Sequence, residues 1–264
     1  MQLATDKMIA RKADGIGWMI FNNPERRNAV SLAMREAMAQ IFDAFRKDDE
    51  VRVLVMRGAG EKAFVSGADI SEFEDKRNNA DAAAVYAEAS ARATDAMQRF
   101  DKPLIAMIHG YCIGGGLGTA LGADMRIASE DAQFAIPAAK LGLGYGFSAL
   151  RQLTDVVGPA IASEILFTGR RMPASRALAV GLVNLVVPAD QLEATVVEYA
   201  SEIAANAPLT VKASKATIGQ IRKDPSDRDV DRVETLIKAC FDSEDYQEGR
   251  RAFMEKRKPQ FRGR

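Results

Sequence analysis

The chain has 264 residues, of which 36 are basic and 36 acidic, with one histidine and two cysteines. A formal net charge of zero argues against a nucleic-acid binder, because such proteins need a surplus of positive charge to neutralise phosphates. Two cysteines are too few for a disulfide framework or a four-thiolate zinc site, and a single histidine excludes metal sites that need two.

The first predicted elements are a hairpin, a helix and a buried strand. Met8–Ala13 and Ile16–Phe21 flank Asp14-Gly15, a dipeptide that suits a tight hairpin turn because both positions tolerate a positive φ. Ser31 is expected to cap a helix whose apolar residues recur at helical spacing. Val51–Met56 is a short apolar run, typical of a strand buried on both faces.

Strands and helices alternate through the rest of the chain. Gly58–Asn79 is predicted to be a loop, Ala80–Phe100 a helix and Pro103–Ile108 a buried strand, followed by a helix in Gly114–Ala123 and a short strand at Met125–Ala128. Further helices are predicted at Ala149–Val157, Pro159–Phe167, Ala174–Val180, Gln191–Ala205 and Leu209–Ile221, with a strand at Leu182–Val187. This order indicates parallel α/β architecture with a helical C-terminal extension.

The sequence carries no sign of a membrane or export segment. Its apolar runs are far shorter than the ~18 residues that span a bilayer, and Met1–Asp14 mixes charges into its apolar residues, unlike a signal peptide. We therefore expect a cytoplasmic protein whose thiols are reduced. The charged stretch Arg222–Arg232 is predicted to be a solvated loop.

Common motifs for nucleotide binding and nucleophilic catalysis are missing. Gly114-Gly115-Gly116 follows a buried strand and opens a helix, yet the sequence contains no GxGxxG, no Gly-Lys-Ser/Thr loop and no GxSxG,. Cys112 and Ser66 are the candidate nucleophiles that remain, and each lacks a plausible base. His109 lies three residues from Cys112, and we interpret both as core residues.

Backbone amides are the donors that remain for catalysis. Ser66-Gly67-Ala68-Asp69 is a second turn of small residues after a buried strand. Its N–H groups and those of the glycine turn are candidates to converge on one oxygen atom. This arrangement would suit a reaction that builds negative charge on a carbonyl oxygen.

Five segments resemble the crotonase superfamily, that is, the enoyl-CoA hydratase/isomerase family. They are Asn23-Pro24 with Asn28-Ala29-Val30, Ala63–Ile70, His109–Gly116, Ala179–Val187, and Glu248-Gly249 with Ala252–Arg257. They follow the family's order over nearly the whole chain. The resemblance implies an α/β fold, a crotonase-like spiral of ββα turns over residues 1–190, closed by a helical C-terminal trimerisation region at 191–264. It also implies a homotrimer or a dimer of trimers.

The same resemblance implies a lyase or isomerase that acts on an acyl-CoA thioester. Coenzyme A would be part of the substrate, with no separate cofactor, no metal, and no nucleic acid or membrane partner. The amides of Ala68 and Gly115 would hold the thioester oxygen as it becomes an enolate. The residues implied in coenzyme A binding are Arg27, Ala29, Ala68, Asp69, Ile70, Phe253 and Lys256.

Two positions depart from the hydratases of this family. The glutamates that deliver water and a proton are replaced by Gly118 and Ala138. Adding water to a double bond needs groups that activate water and protonate carbon, so efficient hydration is not expected. Asp124 and Asp131 are interpreted as structural. Three acids stay open as substitutes for the glutamates, namely Glu72, Glu74 and Asp75.

Two other functions stay open. One is decarboxylation of a malonyl-CoA-type, methylmalonyl-CoA-like thioester, because loss of CO₂ generates an enolate without a base. Pro137–Tyr145 resembles the corresponding stretch of methylmalonyl-CoA decarboxylase, which implies that Tyr145 orients the substrate carboxylate. Tyr145 is equally interpreted as an aromatic residue that lines an acyl pocket. The other function is a non-catalytic acyl-CoA-binding module.

Overall fold

The computed structural model describes residues 3–69 and 80–264, and all structural statements refer to these ranges. The strands are β1 (Met8–Ala13), β2 (Ile16–Phe21), β3 (Val53–Gly58), β4 (Ala63–Val65), β5 (Leu104–Ile108), β6 (Tyr111–Ile113), β7 (Met125–Ser129), β8 (Gln133–Ala135), β9 (Met172–Pro173) and β10 (Leu185–Val187). The helices are α1 (Leu32–Lys47), α2 (Ala80–Gln98), α3 (Gly115–Leu121), α4 (Phe147–Thr168), α5 (Ala174–Ala179), α6 (Leu192–Ala205), α7 (Pro208–Ile221), α8 (Val230–Phe241) and α9 (Glu244–Glu255).

The strands form two sheets that share the turns of one spiral. The larger sheet has the order β1-β2-β3-β5-β7-β10, and the smaller has the order β4-β6-β8-β9. From β3 to α4 the chain runs β3-β4-α2, β5-β6-α3 and β7-β8-α4, so each turn gives one strand to each sheet and then a helix. The strands that follow one another within a sheet along this spiral are parallel. The predicted spiral of ββα turns is therefore confirmed.

Helices cover both faces of the larger sheet. In β3, Leu54 and Met56 pack into a core shared with α1, whereas Val53 and Val55 pack into a second core shared with α6. This two-sided burial explains why the central strands are continuous apolar runs. The Ser31 hydroxyl begins α1 by accepting a hydrogen bond from the Met34 N–H, as predicted.

Several predicted boundaries change for local physical reasons. The predicted loop Gly58–Asn79 contains β4, whose three residues are too few to show a period in the sequence. Helix α4 is interrupted at Gly158, where φ is 74° and ψ is 165°, so the two helices predicted on either side of this residue, Ala149–Val157 and Pro159–Phe167, are confirmed. The predicted loop Arg222–Arg232 ends before its last residues, because α8 begins at Val230. The side chain of Asp229 caps this helix by accepting a hydrogen bond from the Arg232 N–H,. Across the described ranges, no helix is long and apolar enough to cross a membrane.

Candidate active site

The glycine turn after β6 brings α3 against the smaller sheet. Gly114 has a φ of 56°, a conformation that favours glycine,, and its N–H donates to the Ala135 carbonyl at 2.7 Å. A Cβ on Gly116 would lie 2.0 Å from the carbonyl oxygen of Val65. Only glycine therefore allows α3 to approach β4 this closely, and that approach brings Gly115 beside the turn that follows β4.

Buried Arg126 holds the other end of α3. Its Nη1 donates to the carbonyls of Ala123 at 2.8 Å and Ala120 at 3.4 Å, and its Nε donates to the carbonyl of Leu182 at 2.8 Å. These carbonyls belong to the end of α3 and to the segment before β10. Burial lowers the pKa of Arg126. Its hydrogen bonds fix the C-terminal end of α3, away from Gly115 at the N-terminal end.

The turn that contains Ala68 is paired with the segment 27–30. The Ser66 N–H donates to the Arg27 carbonyl at 3.1 Å, and the Val30 N–H donates to the Gly67 carbonyl at 2.8 Å. The Asp69 N–H donates to the Val30 carbonyl at 3.0 Å. These bonds use the amides of Ser66 and Asp69, and the Ala68 N–H donates to no carbonyl of segment 27–30.

Asn28 fixes that segment to the rest of the fold. It is fully buried and has a φ of 57°, a conformation that Asn adopts more readily than most residues. Its Oδ1 accepts from the Asn23 N–H at 2.9 Å, and its Nδ2 donates to the carbonyls of Ala63 at 2.7 Å and Ala59 at 3.0 Å. One side chain thus joins segment 27–30 to β4, immediately before the Ala68 turn.

The structure brings the predicted pair of amides together. A Cβ on Gly115 would lie 3.8 Å from the Ala68 nitrogen, and a Cβ on Gly67 would lie 3.9 Å from the Gly115 nitrogen. Neither the Ala68 N–H nor the Gly115 N–H donates to an acceptor in the described parts of the chain. Ala68 is half-buried and Gly115 is exposed, so both donors are accessible to a ligand.

A cavity of about 1250 Å³ lies beside the amide pair, and its lining includes Gly115, Gly118, Thr119 and Tyr145. The Tyr145 hydroxyl lies 3.9 Å from the position that a Cβ on Gly114 would take, which puts the phenol beside the glycine turn. Burial raises the pKa of Tyr145. At neutral pH the phenol is therefore protonated and can donate a hydrogen bond into the cavity.

The positions of the missing glutamates hold no acid in the structure. Gly118 lines the cavity, and Ala138 is buried in the turn after β8. The Asp124 carboxylate accepts from the Leu104 N–H at 2.7 Å and from the Lys215 ammonium at 2.8 Å, and Asp131 accepts from the Ser129 hydroxyl. Both aspartates thus have the structural partners expected. The predicted residues Ile70, Glu72, Glu74 and Asp75 lie outside the described residues.

A second cavity, of about 290 Å³, is lined by Arg27, Tyr111, Lys140 and Arg171 as well as Ser66. The guanidinium carbons of Arg27 and Arg171 lie 5.1 and 5.0 Å from the centre of the Tyr111 ring, at cation–π distance. Lys140 and Arg171 were not predicted, because no sequence spacing relates them to Arg27. The adjacent basic residues Arg170 and Arg171 are a sequence signal for Arg171 alone.

The other residues predicted to bind coenzyme A are dispersed. Ala29 is buried, and the Asp69 carboxylate pairs with Arg26 at 3.2 Å. Phe253 is 82% exposed and lines a third cavity, between the C-terminal helices. Lys256 caps the end of α9 with a φ of 54°. Neither Phe253 nor Lys256 lines the two cavities near the amide pair.

The lone nucleophile candidates are poorly placed for catalysis. Cys112 is fully buried, which raises the pKa of its thiol and keeps it protonated. His109 is buried too; burial lowers its pKa, and its Nε2 has no partner in the described ranges. The Ser66 hydroxyl donates weakly to the Arg26 carbonyl, at 3.4 Å. The core interpretation of Cys112 and His109 is therefore confirmed.

Comparison with known proteins agrees with this fold. A family model for enoyl-CoA hydratase/isomerase matches residues 11–264. The short-chain-enoyl-CoA hydratase of Clostridium acetobutylicum is 34% identical over 253 residues, which are 96% of each chain. The carnitinyl-CoA dehydratase of Proteus mirabilis is 37% identical over 255 residues, covering 93% of this chain and 94% of the relative.

A solved structure supports the same assignment. The crystal structure of an enoyl-CoA hydratase/carnithine racemase from Magnetospirillum magneticum matches with a TM-score of 0.91 at 38% identity. The match covers 98% of this chain and 97% of that one. With sequence and structure in agreement over nearly the full length, the chain belongs to the enoyl-CoA hydratase/isomerase family and is an acyl-CoA enzyme with the crotonase fold.

Proposed function

We propose that this enzyme stabilises the enolate of an acyl-CoA thioester with the amides of Ala68 and Gly115. The observation that carries the proposal is the pair of accessible N–H groups that meet where two turns approach each other. Negative charge collects on the thioester oxygen as the enolate forms. Removing one preorganised donor from such a site typically costs about 3–4 kcal/mol of transition-state stabilisation, so the pair would supply much of the catalysis.

The smaller cavity supports an orientation for the substrate. Arg27, Lys140 and Arg171 bring three positive charges to its lining, which suits the phosphates of coenzyme A. The acyl chain would then extend past Gly115 into the larger cavity. In this orientation the thioester lies between the two cavities, at the amide pair.

Efficient hydration is not part of the proposal. A general acid or a general base each raises the rate roughly 10²–10⁴-fold. Gly118 and Ala138 can act as neither. Five aspartates line the larger cavity. Four of them pair with a lysine or arginine, namely Asp101, Asp124, Asp155 and Asp224, and Asp227 accepts from the Ser226 hydroxyl. The two positions at which hydratases of this family carry glutamates thus supply no acid.

Decarboxylation of a malonyl-CoA-type thioester is the second candidate, and the position of Tyr145 favours it. Cleavage of the bond between Cα and the carboxylate sends its electron pair into the thioester and releases CO₂. The resulting enolate is then protonated at Cα by water or by the phenol. A protonated Tyr145 beside the glycine turn can orient the departing carboxylate by a hydrogen bond.

Product analysis separates these functions. The purified protein would be incubated with crotonyl-CoA and, separately, with methylmalonyl-CoA, and the products followed by mass spectrometry. We expect slow or undetectable hydration. Propionyl-CoA formation that falls in Tyr145→Phe supports decarboxylation, whereas tight thioester binding without turnover supports a binding module. Rapid hydration of crotonyl-CoA would contradict the expectation that hydratase activity is lost with the two glutamates.

Gly115→Ala tests the amide pair directly. The added methyl group would stand next to the Gly115 nitrogen and 3.8 Å from the Ala68 nitrogen, in the space proposed for the thioester oxygen. We expect at least a ~100-fold loss of kcat, the effect of removing one such donor. Gly249→Ala in α9 is the control, because its methyl would make only ordinary contacts, 3.5 Å from Phe261. Equal activity in both variants would contradict the role of the amides.

We further propose a homotrimer or a dimer of trimers. Large apolar side chains are exposed on the C-terminal helices, including Phe241 at 60%, Phe253 at 82% and Met254 at 80%. Burying such a surface is a common reason for assembly. Phe253 and Lys256 would then contact coenzyme A on a neighbouring copy. Light scattering coupled to gel filtration measures the mass, and a monomer would contradict the proposal.

A further inference from the structure

The larger cavity has unoccupied space beside Gly118 on α3, where a larger residue would place its side chain. Gly118 and Gly122 lie one helical turn apart, on the same face. A Cβ on Gly122 would lie 2.2 Å from the Met97 sulfur, so Met97 occupies that space. A Cβ on Gly118 would meet no described atom within 4 Å. Gly118 therefore leaves an opening on this face of α3.

This opening lies next to the proposed position of the thioester. Gly118 is three residues beyond Gly115, which is about 4.5 Å along the helix axis and on the same side of the helix. Tyr145 borders the cavity at the glycine turn, and Met97 borders it beyond Gly118. Its lining also includes the apolar residues Met38, Ala93 and Phe100. An acyl chain that leaves the amide pair along α3 would therefore pass over Gly118 and reach the Met97 side chain.

We propose that Gly118 is a specificity-determining residue that admits acyl groups with branched or aryl bulk beyond the α-carbon. The inference rests on the proposed function, since it needs the thioester at Ala68 and Gly115. A short straight chain would leave the opening at Gly118 unfilled. A ring would remove its own apolar surface and that of Met97 from water.

Binding of unreactive thioesters tests this inference without depending on turnover. Butyryl-CoA and 3-phenylpropanoyl-CoA are saturated, and they differ in the bulk beyond the β-carbon. Isothermal titration calorimetry on the full chain would compare wild type, Gly118→Leu and Ala194→Leu. The control adds the same side chain at an exposed position of α6, outside the cavity. Leucine favours helix more than glycine, so Gly118→Leu is expected to fold, and Gly118→Ala is a milder second variant.

We expect wild type to bind the phenyl thioester roughly 10–100-fold more tightly than butyryl-CoA, the gain typical of burying one large apolar group. Gly118→Leu should lose most of that preference, because it weakens binding of the phenyl thioester far more than binding of butyryl-CoA, and Ala194→Leu should behave as wild type. Equal binding of both thioesters by wild type would overturn the inference alone. So would a Gly118→Leu variant that weakens both equally. Failure to bind either thioester would overturn the proposed function as well.

Discussion

Asn28 offers the most informative single substitution, because it supports the Ala68 turn without touching the proposed substrate. Asn28→Ala removes three hydrogen bonds, one from the Asn23 N–H and two to the carbonyls of Ala63 and Ala59. Each buried hydrogen bond is worth about 0.5–1.5 kcal/mol, and more where a partner is left unsatisfied. Alanine at a φ of 57° adds roughly 1 kcal/mol of backbone strain. The expected loss in the free energy of unfolding is about 3–5 kcal/mol.

Two further variants divide this loss into its causes. Asn28→Gly restores the backbone conformation and should recover about 1 kcal/mol relative to alanine. Asn28→Asp keeps an acceptor for the Asn23 N–H but replaces the two donated hydrogen bonds with repulsion between oxygens. Urea unfolding measures all three variants, because its midpoint and slope give the free energy of unfolding.

The functional part of the prediction needs a control of similar instability. Arg126→Met perturbs the far end of α3, whereas Asn28→Ala loosens the segment paired with the Ala68 turn. While both variants are folded, we expect Asn28→Ala to weaken turnover or thioester binding more than Arg126→Met does. A loss of stability under about 1 kcal/mol, below the range expected for buried hydrogen bonds, would refute the structural argument. Wild-type activity in a strongly destabilised Asn28→Ala would refute the link to the site.

Three other substitutions test separate contacts. Gly116→Ala puts a methyl group 2.0 Å from the Val65 carbonyl oxygen, so we expect a loss of about 1–3 kcal/mol in urea unfolding from the backbone shift it forces. Arg126→Met removes hydrogen bonds to three carbonyls and should cost about 3 kcal/mol in the same assay; no loss would mean that water replaces the guanidinium. The carboxylate of Glu248 accepts from Arg257, which lowers the pKa of Glu248 to about 2. The stabilisation from this ion pair is present above the ordinary pKa of a glutamate and is lost as pH falls towards 2. Glu248→Gln should therefore flatten the dependence of Tm on pH between the ordinary pKa and pH 2. An unchanged profile would contradict the pairing of Glu248 with Arg257.

Local patterns predicted the large sheet better than the small one. The strand boundaries Met8–Ala13 and Ile16–Phe21 match the structure, because Asp14-Gly15 dictates a turn at that point. Strands β6 and β8 have three residues each, too few for a pattern to emerge. Their conformation comes from pairing with distant segments, and spacing along the chain carries no information about that pairing.

The site shows the same division between local and distant causes. Ala68 and Gly115 were predicted from family motifs, and the structure brings their amides together through contacts that join segments far apart in sequence. Arg171 was missed, because its approach to the Tyr111 ring depends on how β9 pairs with β8. Basic residues that meet only through tertiary packing have no regular spacing in the sequence, so the sequence alone does not predict that they meet.

The contact of Gly116 with the Val65 carbonyl has a consequence for how this enzyme can change. The close approach of the α3 backbone to the β4 backbone positions the two proposed donors. Both donors are backbone N–H groups. Substitutions around the cavity can then replace acids, open space at Gly118 or introduce a phenol without moving the amides. Such a scaffold separates the stabilisation of charge, which is built into the backbone, from the choice of reaction and acyl group. Single substitutions can therefore change the reaction or the acyl group while the amides stay in place.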